Sequence, residues 1–119
     1  MNYEEFNVYC ESLLATTYVV QWHNSHVWKV GGKVFAIGGI EKIDEPAFTF
    51  KTSAFNFHLL QGEEGFRPAP YLASRGMKWI QQYKSVKGDE ELRYYIQESH
   101  RIVSLGLTKK LQKELGLNQ

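Results

Sequence analysis

The sequence predicts a single α+β domain, helices packed against an antiparallel sheet. Three observations predict it. A Gly31-Gly32 pair separates two β-rich runs, residues 46–51 alternate with Phe48 and Phe50 to one side and Ala47, Thr49 and Lys51 to the other, and both ends of the chain carry apolar residues at helical spacing. A chain of 119 residues fits one domain, taken as spanning 1–119. Such a domain hides roughly two-thirds of its unfolded surface and needs no crosslinks. At 43% hydrophobic and 23% charged residues, disorder is excluded.

The elements follow in order. Tyr3, Phe6, Cys10 and Leu13 repeat at helical spacing, and Asn2 with Glu5 has the form of a capping box, so a helix is expected over about residues 3–14. Residues 26–30 and 33–37 read as strands joined by a tight turn, since a two-residue hairpin loop wants positive φ and glycine supplies it at no steric cost. Gly38-Gly39 is expected to end or bulge the second strand. A charged loop, residues 41–45, leads to the strand at 46–51, with Phe48 and Phe50 on one side. Thr52 or Ser53 caps a second helix carrying Phe55 and Leu59, stopped by Gly62. Residues 77–83 are strand-like. Gly88 and three acids open a third helix, with Leu92, Tyr95, Ile96, Ser99, Ile102 and Val103 inward and Gly106 at its end. Thr108 caps a short last helix with Leu111 and Leu115 inside.

Net charge of +1 provides no global attraction for polyanions, but the charge is unevenly placed. Residues 1–28 hold three acids and no Lys or Arg. Residues 65–88 hold Arg67, Arg75, Lys78, Lys84 and Lys87 with no acid, interleaved with Phe66, Tyr71, Trp79 and Tyr83. Cations displace counterions from phosphates and flat rings stack on bases, so this mixture suits a nucleic-acid surface. The bland alternative is a solvated loop with its rings in the core. Lys109, Lys110 and Lys113 form a second basic cluster.

Catalytic and metal patterns are not found. His23 and His26 have i, i+3 spacing but no nearby Cys or Asp, and read as a surface pair. His58 and His100 fall in separate helices as hydrogen-bonded rings. Cys10, the one cysteine, sits on an apolar helix face as a small hydrophobe and implies no oxidising compartment. Glu63-Glu64 and Glu90-Glu91 are adjacent, so their side chains diverge and form no acid/base dyad. Gly31-Gly32 is followed by a strand and not by a helix, unlike a phosphate loop. The N-terminus lacks a signal-peptide pattern, and no apolar run approaches the roughly 18 residues of a membrane span. A cytoplasmic protein with no cofactor, metal or membrane partner is expected.

Several segments resemble the MmcQ/YjbR family. Residues 29–36, Lys-Val-Gly-Gly-Lys-Val-Phe-Ala, resemble its hairpin, and Phe50-Lys51-Thr52-Ser53 its strand-to-helix junction. Residues 67–73, Arg-Pro-Ala-Pro-Tyr-Leu-Ala, are similar to its proline-containing segment, Trp79 stands in its tryptophan strand, and residues 99–103 and 107–110 resemble its closing helix and basic tail. The resemblance runs from the first helix to about Leu111. It implies an α-β(3)-α-β(2)-α domain, similar to secretion chaperones and also called a double-wing DNA-binding domain, with a fourth strand near Pro68 and Pro70. Many members carry an Asn-Lys-basic-His run before the tryptophan. Here Ser74-Arg75-Gly76-Met77-Lys78 stands there, so no role of that Asn or His carries over.

The resulting expectation is a non-enzymatic DNA-binding domain. Lys51, Arg67, Arg75 and Lys78 would contact phosphates, and Tyr71 or Trp79 would stack if exposed. The alternative is a protein-interaction module holding a partner segment or its own copy on a sheet face or edge. An enzyme would require histidines or carboxylates to converge in a pocket.

Overall fold

The computed structural model describes residues 1–39, 45–86 and 88–119. Of the expected charged loop only Glu45 falls within them; residues 41–44 and Lys87 lie outside. The first helix, α1 (Tyr3–Ser12), opens on the expected capping box: Glu5 N–H donates to the Asn2 side chain at 2.7 Å, and Asn2 N–H donates to Glu5 Oε1 at 3.0 Å. It stops short of residue 14 because Leu13 turns to an extended conformation.

A strand left unassigned in the sequence follows, β1 (Thr16–Gln21), hairpinned to β2 (Ser25–Val30). Its turn is made by Trp22, His23 and Asn24, all left-handed at φ of 51°, 61° and 63°. No Gly or Pro marks it, which is why the hairpin was not legible. The two-residue loop Gly31-Gly32 joins β2 to β3 (Lys33–Gly38) as expected, with φ of 56° and 85°. Gly31 is required twice over, since a Cβ there would come within 2.5 Å of Leu107 Cδ1.

β4 (Phe48–Lys51) leads to α2 (Ala54–Leu60), capped by Ser53, whose side chain accepts from Asn56 N–H. β5 (Phe66–Pro68) and β6 (Trp79–Gln82) precede α3 (Asp89–Leu105) and α4 (Lys109–Leu115), the latter capped by Thr108. All strand pairs are antiparallel, in the order β1-β2-β3-β4-β6-β5. The α+β class holds, with four strands before α2 where the resemblance implied three. Among the described residues no helix is long and apolar enough to cross a membrane.

Strand alternation divides the sheet into two faces. Trp28, Val30, Phe35, Phe48, Phe50, Phe66 and Ile80 meet Phe6 and Cys10 of α1, Leu60 of α2, and Leu92, Tyr95 and Ile96 of α3 in one core. β3 ends at Gly38, as expected of Gly38-Gly39, and a bulge falls at Phe35, where Trp28 opposes Ala36 and Lys29 opposes Val34. The buried Ser99 of α3 bridges this irregularity. Its hydroxyl donates to the Phe35 carbonyl at 2.5 Å and accepts from Lys51 N–H at 2.8 Å.

Candidate functional site

Among the described residues no α-helix packs on the opposite face of the sheet, and its composition is unusual. One row of side chains crosses all six strands by direct pairing: Val19, Val27, Ile37, Thr49, Gln81, Arg67. A neighbouring row holds Thr17, Lys29 and Val34, with Lys51 opposite Trp79. None of the six strands contains an Asp or Glu, while four bases, Lys29, Lys33, Lys51 and Arg67, lie within them. Lys29, Lys51 and Arg67 all alternate with core residues and so belong to the helix-free face. Seven of the described acids sit on α1 and α3: Glu4, Glu5 and Glu11 in α1, and Asp89, Glu90, Glu91 and Glu98 in α3. The ion pairs with both partners described, Met1–Asp89 and Arg101–Glu98, involve none of these four bases.

A groove of about 970 Å³ opens on this face along β3. Its floor is Val34, Ile37 and Trp79, with Lys33 at one end and Gly39 at the other. Trp22 and His23, from the β1–β2 turn, also line it. Pro70, Tyr71, Leu72 and Met77, from the loop between β5 and β6, complete the described lining. Three of these lining residues are non-glycine residues with left-handed backbone: Trp22, His23 and Tyr71, the last at φ of 69°. Bulky side chains rarely adopt this conformation, and such strain collects at functional sites. Trp22 is 49% exposed and Tyr71 73%, so both rings stand in solvent at the groove's edge.

Three polar atoms of the same face lack a hydrogen-bond partner although buried: Thr49 Oγ1, Gln81 Nε2 and Trp79 Nε1. Gln81 uses its other amide atom, Oε1, to accept from Arg67 Nε at 2.9 Å.

The residues expected to bind DNA divide as follows. Lys51 and Arg67 share the helix-free face, with Arg67 committed to Gln81 and stacked 5.0 Å from the Tyr83 ring centre. Tyr71 is exposed at the groove, and Arg75 is exposed in a single 3-10 turn, Ala73–Arg75, of the same loop. Trp79 is only 5% exposed; its ring is groove floor and offers no free face for stacking. Lys78 turns to the other layer, its ammonium 4.9 Å from the Phe57 ring centre in α2. Trp22, His23, Lys29 and Lys33 were not among the expected DNA contacts. The acid-free run 16–38 was the available signal, but which face its bases take depends on register.

The histidines are separate. His23 lines the groove, whereas His26 faces the α1 side, with Nδ1 2.7 Å from the Tyr18 hydroxyl and 3.3 Å from Asn7 Nδ2. His58 is exposed in α2, and His100 Nε2 donates to the Leu14 carbonyl at 2.8 Å. No group of three or more His, Cys, Asp or Glu among the described residues could hold a metal ion. Burial pushes the Cys10 thiol far above its ordinary range and keeps it protonated, which removes its nucleophilic form.

Comparison with known proteins supports the fold and the family. No curated protein is significantly similar to the chain. Solved structures with this fold include the Deinococcus radiodurans protein DR2400, described by the domain DUF419. It matches at a TM-score of 0.84 and 21% identity, covering 98% of this chain and 88% of that one. A Pseudomonas syringae protein matches at a TM-score of 0.68 and 20% identity, covering 86% of this chain and 98% of that one. The YjbR family model matches residues 11–102, from the end of α1 through most of α3. With more than half its length matched in this way, the chain belongs to the YjbR family.

Proposed function

We propose that the protein is a non-enzymatic DNA-binding domain of the cytoplasm that uses the helix-free face of its sheet. The observation that carries this reading is the absence of any acid from the six strands, combined with Lys29, Lys33, Lys51 and Arg67 within them. A locally basic face attracts a polyanion even when net charge is near neutral. Arg75 extends the basic surface along the 69–78 loop, and Tyr71 offers an exposed ring beside it. Lys78 contributes less, since its ammonium lies over Phe57.

Fluorescence anisotropy with a labelled DNA at about 50 mM salt tests the reading. About four phosphate contacts predict a log–log salt slope of about −3.6 on duplex DNA. Lys29→Glu combined with Lys51→Glu abolishes binding, while Arg93→Glu on α3 leaves it intact. No binding at low salt, or binding indifferent to the double substitution, rejects the proposal.

One observation favours a second reading, self-association through the sheet edge. β1 is an edge strand of six residues, Thr-Thr-Tyr-Val-Val-Gln, with no charge and no proline. Its Tyr18 and Val20 are exposed, as is Val8 of α1. Edges are normally protected by charge, Pro or shortness, as β5 is by Pro68 and its three residues. Light scattering settles it: a dimer that Val20→Lys converts to a monomer supports this reading, and a monomer at high concentration removes it.

A further inference from the structure

We propose that the groove selects single-stranded over duplex DNA, taking unpaired bases between Trp22 and Tyr71. This deepens the DNA-binding reading and rests on it. A groove of about 970 Å³ lies at the upper end of the range, about 300–1,000 Å³, that receives drug-sized molecules. It holds bases and not a double helix.

The chemistry of the groove points the same way. Its floor, Val34, Ile37 and Trp79, is apolar. A duplex offers an outer surface of phosphates and base edges, its base faces being stacked inside. Phosphates set against an apolar floor lose their hydration without recompense. Unpaired bases present flat, weakly hydrated faces, which the exposed aromatic rings of the lining receive.

Two rings are held ready for this. Trp22 and Tyr71 enter the groove lining from two different segments, both substantially exposed, and each has a left-handed backbone. Neither ring is spent on the core. Lys33 at the groove's end and Lys29 and Lys51 on the same face supply cations for a backbone passing along the rim. Stacking rings over a basic track are the parts that single-strand binding requires, and they give affinity with little sequence preference.

The test is a titration of the intact chain with a labelled oligothymidine and with a labelled mixed-sequence duplex of equal length, both at low salt. We expect the single strand to bind at least about tenfold more tightly and to quench tryptophan fluorescence. Trp22→Ala and Tyr71→Ala should each weaken single-strand binding about fivefold or more without changing its salt slope, because a stacking ring is removed and no cation. The two variants lie in different loops, so misfolding of one leaves the other as a probe. Duplex binding equal to or tighter than single-strand binding overturns the inference and leaves the DNA reading standing. Indifference to both ring substitutions also overturns it. Failure of both DNAs to bind removes the inference together with the reading beneath it.

Discussion

The Lys78 ammonium lies 4.9 Å from the centre of the Phe57 ring, on the helical side of the sheet, while its neighbour Trp79 points to the other side. Two adjacent residues of one aromatic-basic run therefore serve different surfaces. If the helix-free face binds DNA, Lys51→Ala lowers the salt slope by about one, as for a lost phosphate contact. Lys78→Ala leaves the slope unchanged. Anisotropy titrations over a salt series check both variants.

Ser99 holds the Phe35 carbonyl and the Lys51 amide with one hydroxyl. Ser99→Ala leaves two backbone groups beneath α3 without that partner. We expect a loss of about 2–3 kcal/mol, more than the removal of an ordinary hydrogen bond. Urea unfolding followed by circular dichroism measures it.

Thr49 is the opposite case. Its hydroxyl is buried and unpartnered, so it carries a desolvation cost without a bond in return. Thr49→Val keeps the shape and the β-branch. The variant should be as stable as the natural chain or up to about 1 kcal/mol more stable. A clear loss of stability in the same urea assay would show that the hydroxyl is in fact bonded.

Cys10 sets an alkaline limit. Its ordinary pKa of 9.0 is raised by burial, so the folded chain keeps its proton where the unfolded chain loses it. The unfolded state then binds fewer protons, and stability falls as pH rises above about 9. Burial raises Tyr9 and Tyr95 as well, adding to the decline at higher pH. Between pH 8 and pH 10 the natural chain should lose about 1.4 kcal/mol more than Cys10→Ala. Urea midpoints at the two pH values provide the comparison.

What was legible in the sequence was local. Gly31-Gly32, the Asn2–Glu5 capping box, Ser53, Thr108 and the alternation around Phe48 and Phe50 each act within a few residues, and each stands where expected. β1 was not legible because its turn, Trp22, His23 and Asn24, contains no Gly or Pro, and Trp22 is rarely left-handed. The strand end at Gly38 was legible, but the bulge at Phe35 was not, since its carbonyl accepts a hydrogen bond from the Ser99 hydroxyl far along the chain. Segment 65–88 displayed its bases openly, yet their separation into two layers follows from the pairing of β5 and β6. Lys29 belongs with Lys51 only because β3 and β4 fold back to align them.

The two ends of the sheet are unequal. Should one molecule join another by sheet addition, the joint can form only where β1 is bare, since the Pro68 end turns newcomers away. Two copies joined edge to edge about a twofold axis leave nothing further to build on. A pair would be terminal, and the same exposed strand that invites association would forbid a fibre.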